Sequence, residues 1–312
     1  MKYVAGLDIG GTNIPGGIVD EDGSIHLGDS IKTHAHKGPD YIIKSMGDFV
    51  LELIEKSGKN VEAIGIGSPG PLDQENGKIY DSPNLPGWDC IPIVDRMHEH
   101  TGLPCVLEND ANAACLGEKL FGAGKDYNNI VHLTLGTGIG GGLFLDGKLF
   151  RGADGAGAEL GHMVIDAGGY QCGCGRYGCF EAFCSDSGIR TQVKEELSKH
   201  PDSKCNNYDN AQVNFKIIDD LSQEGDEFAC IIFDRIAAYF GIGIGNLVNI
   251  FNPEAVILSG GMVKAGEDFI EQIRSNVFEQ VFDVMKKNLT ICVSQLGENT
   301  GVLGAAACAL MN

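Results

Sequence analysis

The sequence predicts an α/β protein made of two similar lobes, and three observations lead to this fold class. The chain has 312 residues, of which 43% are hydrophobic and 21% charged, so it can bury a sizeable core and is long enough for about two domains. A glycine-rich strand-turn-strand unit occurs twice along the chain. Strand and helix patterns alternate after the first copy, which is typical of α/β lobes. A duplicated protein of this kind often has a cleft between its lobes.

The repeated unit is a hairpin with a glycine-rich turn. Residues 3 to 23, YVAGLDIGGTNIPGGIVDEDG, contain an apolar strand, a glycine turn, a second strand and an Asp-Gly turn, and residues 130 to 147, IVHLTLGTGIGGGLFLDG, follow the same plan. The corresponding pairs are Asp8 and Thr134, Gly10 and Gly136, and Thr12 and Gly138. Residues without a Cβ allow several backbone N–H groups to converge on an anion, so the hairpins predict phosphate binding. Two tight turns without a ligand remain the alternative.

Two better known phosphate motifs do not fit these turns. The segment 136–141 matches G-x-G-x-x-G, but it continues as a strand, whereas a dinucleotide fingerprint opens a helix. Neither turn is followed by the Gly-Lys-Ser/Thr of a Walker A loop. The hairpins therefore indicate a different class of phosphate-binding protein.

The other elements follow from hydrophobic periodicity and from turn residues. Helical spacing predicts an amphipathic helix over 41–58, and the segment 105–124 predicts a strand that delivers Glu108, Asn109 and Asp110 to the start of a helix. An acidic residue at that position is also an ordinary helix cap, so Asp110 alone is not a functional signal. The remaining predicted elements are a strand at 61–70, a long buried helix at 228–253, a strand at 254–262 and a terminal helix at 300–312.

Charge and composition favour small-molecule ligands. The 43 acidic and 23 basic residues give a net charge of −20, which opposes binding to nucleic acid or to an anionic membrane, although acidic surfaces can also be merely solubilising. We expect no signal peptide and no apolar run approaching the roughly 18 residues of a membrane span. The sequence thus predicts a cytoplasmic protein, in which closely spaced cysteines stay reduced and more often bind metal than form disulfides.

Six segments of the chain together form a recognisable set. In chain order they are LDIGGTNIPGGIVD, ENDANAA, TLGTGIGGG, AELGHM, CGCGRYGCFEAF and ILSGGM. This set resembles the ROK family of sugar kinases, most closely its glucokinases. The resemblance implies the duplicated, two-lobed, ribonuclease H-like fold of the actin-like ATPases, with central mixed sheets. It also implies an N-terminal lobe of residues 1–118, completed by the helix 299–312, and a larger lobe of residues 119–298 that carries a zinc site.

The resemblance implies transfer of a phosphoryl group from ATP to the 6-hydroxyl of a hexose, glucose before others, in the cleft. A sugar hydroxyl is a poor nucleophile, so a carboxylate must accept its proton during attack on the γ-phosphoryl group. Asp110 matches the family's catalytic base. Asn109 would hold a sugar hydroxyl in line for the reaction.

Nucleotide binding is implied for both hairpins. Backbone N–H groups of Gly10, Gly11 and Thr12 would enclose the phosphates on one side, and Gly136, Thr137 and Gly138 on the other. Asp8 would help to hold Mg²⁺ through water, although it could instead only pin the turn. Gly260 and Gly261 would let the adenosine lie against the backbone, although a glycine pair after a strand is often only a turn.

The cysteine block predicts a structural zinc site. Cys172, Cys174 and Cys179, with His162 ten residues upstream, supply three thiolates and one imidazole, a usual closed tetrahedral set for Zn²⁺. In the family, zinc fixes His162 through one ring nitrogen, and the sugar contacts that the resemblance implies here are Glu159, His162 and Glu181. The backbone of Gly70 and the side chain of Asn84 are further, less specific sugar contacts.

The chain departs from the family pattern in the first hairpin. Asn13 stands where lysine is common, and Pro15 stands where a small residue is usual. Because proline lacks an N–H, we expect the second strand of this hairpin to lie at a sheet edge.

Several alternatives stay open at this point. N-acetylmannosamine, N-acetylglucosamine, allose and fructose largely share the hydroxyls that these residues would contact. A sugar-sensing repressor would need a helix-turn-helix and a basic surface, neither of which is expected here. A silent sugar-binding protein is disfavoured by the presence of Asp110 together with both hairpins. The resemblance implies a homodimer or homotetramer.

Overall fold

The computed structural model describes residues 1–80 and 86–311 of the chain. Its strands are β1 Tyr3–Asp8, β2 Asn13–Asp20, β3 Ile25–Lys32, β4 Val61–Ser68, β5 Leu72–Asp73, β6 Lys78–Ile79, β7 Cys105–Asn109, β8 Ile130–Leu135, β9 Ile139–Leu145, β10 Lys148–Phe150, β11 Ala255–Gly260 and β12 Thr290–Val293. Its helices are α1 Gly38–Ser57, α2 Ile93–Thr101, α3 Asp110–Phe121, α4 Phe180–Cys184, α5 Asp186–Glu196, α6 Phe215–Gln223, α7 Glu227–Phe251, α8 Glu267–Gln280, α9 Asp283–Lys286 and α10 Thr300–Met311.

Two five-stranded sheets share one strand order. The first is β3-β2-β1-β4-β7 and the second is β10-β9-β8-β11-β12. When the five strands of each sheet are numbered by their order along the chain, both sheets have the order 3-2-1-4-5. The pairs β1/β2, β2/β3 and β9/β10 are antiparallel, whereas β1/β4, β4/β7 and β11/β12 are parallel. The repeated hairpin is thus the first strand pair of each mixed sheet.

The chain divides into two compact units. The first comprises Met1–Ile130, Gly142–Ala158 and Ser294–Asn312, and the second comprises Val131–Gly141 and Glu159–Val293. Helix α10 belongs to the first unit. The lobe boundary after residue 118 that the resemblance implies stays a prediction.

Helix α10 lies directly on the first sheet because glycines remove the intervening side chains. A Cβ on Gly65 would lie 1.8 Å from the carbonyl oxygen of Ala305, and a Cβ on Gly6 would lie 2.2 Å from that of Val302. Residues alternate along the strands, so Leu7 points to the opposite face, where it joins a buried cluster with α1 and α2. The sheet is therefore covered on both faces, and α10 is held at backbone distance from it.

Helices α3 and α10 also meet through glycine. A Cβ on Gly304 would lie 2.5 Å from the carbonyl oxygen of Ala113, and a Cβ on Gly117 would lie 3.0 Å from the backbone of Gly304. This contact fixes the axis of α3, whose first residue is Asp110. Close helix packing thereby positions the start of α3 within the first unit.

The second unit has an aromatic core around α7. The ring centroids of Phe180 and Phe240 are 5.5 Å apart, and those of Phe240 and Phe269 are 5.9 Å apart. Asp226 caps α7, its side chain accepting the N–H of Ala229. These contacts join α4, α7 and α8 around one buried cluster.

Two sequence-based expectations are wrong. Strand β2 pairs with both β1 and β3, so it lies inside the sheet and β3 forms the edge. Gly16, which pairs with Leu7, is the last residue of β2 that pairs with β1, so Pro15 lies one residue outside that pairing. Pro15 is tolerated because only its pairing with Ser30 in β3 must accommodate the missing N–H.

The second correction concerns apolar runs. By length and composition α7 could cross a membrane, contrary to the expectation that no run approaches that length. In its most apolar window 56% of the residues are buried inside the protein. Core helices of globular proteins pass the same test, and the aromatic packing around α7 accounts for its composition.

Candidate active site and metal centre

The first hairpin turn lies between β1 and β2. The N–H of Gly10 donates to the carbonyl oxygen of Asn13 at 3.1 Å and closes the turn, and the hydroxyl of Thr33 donates to the Gly10 carbonyl at 2.6 Å. Gly11 and Thr12 are exposed at the tip. Of the three predicted phosphate contacts, the N–H of Gly10 is thus already engaged, and those of Gly11 and Thr12 lie at the surface of the turn.

Asp8 ends β1 next to the turn, and its carboxyl is only partly exposed. Loss of hydration, and then the charge on Asp110, raise the pKa of Asp8 from 3.8 to about 6. A cation beside Asp8 would relieve both effects. The residue thus fits the predicted contact with Mg²⁺.

Asp110 and Asn109 stand at the junction of β7 and α3. The Oδ1 of Asn109 accepts the N–H groups of Ala111 at 3.0 Å and Asn112 at 3.2 Å, which makes Asn109 the helix cap. The Nδ2 of Asn109 lies 3.9 Å from the position of a Cβ on Gly70. The cap occupies the oxygen of Asn109, so only its amide nitrogen can donate, through one N–H to the Asp110 carboxyl and through the other to a sugar hydroxyl.

Asp110 is an exposed residue, yet the surrounding protein removes much of the hydration of its carboxyl. Loss of hydration raises the pKa of Asp110 above its usual range, although hydrogen bonds from the backbone of Ala111 and from Asn109 oppose the rise. A carboxylate with a raised pKa is a stronger proton acceptor. These properties suit a general base.

Glu108 is a residue of this region to which sequence reasoning gave no role. Its side chain is buried, with 1% exposed, and Oε2 accepts the Nε–H of Arg151 at 2.7 Å. Oε1 accepts the Nδ2–H of Asn112 at 3.1 Å and the N–H of Asn109 at 3.0 Å. A carboxylate after an apolar strand-like run was the sequence signal, because such a group needs a partner if it is buried. The pair Glu108 and Arg151 supports the strand that carries Asn109 and Asp110.

The second hairpin turn lies between β8 and β9. The N–H of Gly136 donates to the carbonyl oxygen of Gly138 at 3.0 Å, as Gly10 donates in the first hairpin. Gly260 ends β11 beside this turn with a φ of +97°, and a Cβ there would lie 2.2 Å from the carbonyl oxygen of Leu135. Gly261 has open space around it. Gly260 is therefore required by the backbone, and Gly261 leaves a surface that a ligand could approach.

Four predicted metal ligands come together in the second unit. One ligand atom from each of His162, Cys172, Cys174 and Cys179 lies within 4.8 Å of the others. Nδ1 of His162 is 3.6 Å from Sγ of Cys172, and the Sγ atoms of Cys174 and Cys179 are 3.7 Å apart. A zinc tetrahedron with bonds of about 2.3 Å to sulfur has edges of about 3.8 Å. The donor set and its spacing fit structural zinc, with Nε2 of His162 left over.

The thiol electrostatics also fit a cation. Hydrogen bonds from the backbone and side chain of Arg176 lower the pKa of Cys174 to about 6, which favours the thiolate that metals bind. Burial raises the pKa of Cys172 to about 12. A metal ion would supply the positive charge that keeps Cys172 deprotonated.

Glu159 and Glu181 flank this cluster along the chain. Glu159 is exposed and precedes the short 3-10 turn Leu160–His162. Glu181 is partly buried at the start of α4, and its Oε2 accepts the N–H of Ile139 at 2.9 Å. Asn84, the remaining predicted sugar contact, lies outside the described residues.

Comparison with known proteins identifies the family. The model of the ROK family matches residues 4–312. A glucokinase of Thermotoga maritima is 40% identical over 97% of this chain and 95% of its own. The chain therefore belongs to the ROK family.

Solved structures agree with this assignment. A ROK hexokinase of Thermus thermophilus superposes with a TM-score of 0.87 at 34% identity, over 99% of this chain and 98% of that one. A ROK glucokinase of Streptomyces griseus, solved with glucose and AMPPNP, has a TM-score of 0.81 at 33% identity, over 99% of this chain and 100% of that one. The predicted family and the predicted actin-like α/β fold class are confirmed.

Regulators are also similar to this chain. A xylose repressor of Bacillus spizizenii is 31% identical over 98% of this chain, which spans 76% of the repressor. Kinases and repressors thus both resemble this chain, and function depends on the residues of the site rather than on the fold.

Proposed function

We propose that this protein transfers the γ-phosphoryl group of ATP to the 6-hydroxyl of a hexose, with glucose as the first candidate. The observation that carries the proposal is Asp110, a carboxylate of raised pKa beside an asparagine whose amide nitrogen is left for a ligand. The named activities of the glucokinase and hexokinase relatives support it. ATP binding is further supported by the AMPPNP complex of the Streptomyces griseus glucokinase.

The chemical step needs a base and a fixed nucleophile. Asp110 would accept the proton of the 6-hydroxyl as its oxygen attacks the γ-phosphorus atom, and the bond from that atom to the bridging oxygen of ADP would break. Asn109 would donate from Nδ2 to a neighbouring sugar hydroxyl, with Gly70 beside it. Because Oδ1 of Asn109 caps α3, the helix would hold this donor rigidly.

Both hairpins are proposed to bind phosphate. In the first unit the N–H groups of Gly11 and Thr12 are the proposed donors, and in the second those of Thr137 and Gly138. The open surface at Gly261 would accept the adenosine. Mg²⁺ bound to ATP neutralises phosphate charge, and Asp8 would hold its water ligands.

The remaining sugar contacts would come from the second unit. Glu159, Glu181 and Nε2 of His162 are the proposed hydroxyl partners, and Asn84 of the first unit stays a further prediction. Structural zinc bound by His162, Cys172, Cys174 and Cys179 would order this loop. In this loop the three cysteine ligands would help to orient His162.

The acidic charge of −20 supports a small-molecule enzyme that binds neither nucleic acid nor a membrane. We also infer a cytoplasmic location, because the zinc thiolates must stay reduced. A homodimer or homotetramer is proposed from the family resemblance. A sugar-sensing regulator without kinase activity remains the second class, favoured by the similarity to the xylose repressor.

A substrate panel tests the proposal. ADP release would be measured with ATP and Mg²⁺ against glucose, fructose, allose, N-acetylglucosamine and N-acetylmannosamine. We expect turnover with a hexose, fastest with glucose. Sugar binding without ADP release for any member of the panel would favour the regulator instead.

A further inference from the structure

One side chain of the second unit joins the phosphate hairpin to the metal-binding loop. The Oε2 atom of Glu181 accepts the N–H of Ile139 at 2.9 Å, and the Oε1 atom lies 3.5 Å from Sγ of Cys172. Ile139 directly follows Gly138 in the hairpin, and Glu181 follows Cys179 by two residues. A single carboxylate thus contacts both elements.

Gly138 leaves room for this carboxylate. A Cβ on Gly138 would lie 2.4 Å from Oε2 of Glu181, whereas a Cβ on Gly136 has nothing within 4 Å. The two turn glycines therefore differ in what they accommodate. Gly136 faces open space, and Gly138 faces the Glu181 side chain.

The segment after Glu181 binds the same hairpin through its backbone. The N–H of Asp186 donates to the carbonyl oxygen of Gly136 at 2.9 Å, and the N–H of Ser187 donates to that of Thr137 at 3.2 Å. With the Glu181 contact, three residues of the 136–139 turn are bound to the 181–187 segment. A turn rich in glycine has many accessible conformations, so contacts from outside are needed to select one.

We propose that Glu181 is a positioning residue for the nucleotide, because it holds the 136–139 turn in the shape that receives phosphate. The inference rests on the proposed function and extends it, since there Glu181 contacts only the sugar. A hydrogen bond to a charged acceptor is among the stronger ones, so its loss releases the Ile139 N–H and loosens the turn.

The first test compares the variants Glu181→Ala and Glu181→Gln with the parent, all zinc-loaded and without sugar. Hydrogen exchange of the Ile139 amide is followed by NMR, and the Kd of AMPPNP with Mg²⁺ is measured by calorimetry. For Glu181→Ala we expect exchange about tenfold faster and a Kd about tenfold higher, since the competent turn is less populated. Glu181→Gln keeps an acceptor oxygen, so it restores both values to within about threefold of the parent.

A second pair of variants covers the case in which Glu181→Ala does not fold. Gly138→Ala pushes the carboxylate away from Ile139, and Gly136→Ala is its matched control in the same turn. We expect faster Ile139 exchange in Gly138→Ala and parental exchange in Gly136→Ala. Equal exchange in the two variants would overturn the proposal, as would an unchanged AMPPNP Kd in a folded Glu181→Ala protein.

Failure of the inference is distinguishable from failure of the proposed function. If the parent phosphorylates no hexose, the function is wrong, whereas the exchange and AMPPNP measurements need no turnover. If the parent phosphorylates glucose and Glu181→Ala changes only the Kd of glucose, Glu181 is a sugar contact alone. That result overturns the positioning role.

Discussion

Gly301 leaves the space that the carboxyl of Asp8 fills. A Cβ on Gly301 would lie 2.1 Å from Oδ2 of Asp8. Gly301 belongs to the first turn of α10, which the glycines of β1 and β4 hold against the sheet. The packing of one helix therefore determines where the proposed magnesium partner can point.

Gly301→Ala should move the Asp8 carboxyl without unfolding the protein, because the clash is with the end of a side chain. If Asp8 holds water ligands of Mg²⁺, turnover falls about 10- to 100-fold, and added Mg²⁺ recovers part of it. Steady-state kinetics over a range of Mg²⁺ concentrations provide the measurement. Gly28→Ala is the control, since a Cβ there meets only ordinary contacts of 3.5 Å and longer. Parental kinetics in Gly301→Ala would exclude this role for Asp8.

Asp8→Asn should stabilise the ligand-free protein at neutral pH while it lowers activity. The pKa of Asp8 is raised to about 6 in the folded state, so the stability associated with its neutral form is present below pH 3.8 and is lost as pH rises through about 6. Above that pH the ionised group destabilises the fold by about 1–3 kcal/mol, at about 1.4 kcal/mol per pKa unit. Urea denaturation at pH 5 and pH 8 measures the effect. We expect the gain from Asp8→Asn to be larger at pH 8, and equal gains at both values would contradict the raised pKa.

Gly65→Ala should strongly destabilise the first unit. Its Cβ would lie 1.8 Å from a backbone oxygen of α10, which cannot rotate away as a side chain can. Overpacking of this kind costs about 1–3 kcal/mol or more, and the shift of α10 would also disturb Asp8. Chemical denaturation of Gly65→Ala beside Gly28→Ala checks this. Similar unfolding free energies for the two variants would mean that α10 is not held at backbone distance.

If zinc is bound at the proposed site, its removal should lower the melting temperature and expose the loop 163–179 to protease. The four ligand atoms of this site are spaced for one tetrahedral ion. Without that ion, the buried thiol of Cys172 lies beside the exposed thiol of Cys174, whose pKa is low. Metal content, melting temperature and protease cleavage are measured before and after chelation. Cys179→Ser should behave like the chelated protein and bind less zinc. Cys230→Ser, outside the cluster, is the control and should retain the parental metal content. If the parent protein keeps its stability after zinc is removed, zinc has no structural role.

The sequence predicted the repeated parts of the fold better than the contacts between distant residues. The correspondence of Gly10 with Gly136 in two hairpins predicted a duplicated fold, and the structure has two sheets of one strand order. The position of Pro15 led to a wrong prediction. Proline favours an edge strand, but Gly16, next to Pro15, is the last residue of β2 that pairs with β1. Strand pairing depends on register, which a single residue does not reveal.

The site could be predicted where a motif carries its own chemistry. The spacing of three cysteines anticipated a metal-ligand cluster that also contains His162. The contact of Glu181 with the N–H of Ile139 joins positions 42 apart in the chain and has no local pattern. The pairing of Glu108 with Arg151 is equally remote, and a carboxylate after an apolar run was its only sequence signal.

The central claim is tested most directly by glucose 6-phosphate formation in the parent protein and in Asp110→Asn, with glucose affinity measured in both. Asparagine keeps the shape of the side chain and removes its basicity. We expect kcat to fall by a factor of about 10³ or more, because a general base typically contributes about 10²–10⁴ to the rate. The Kd of glucose should stay within about threefold of the parent value. Glucose phosphorylation by Asp110→Asn at a rate near that of the parent would contradict the account.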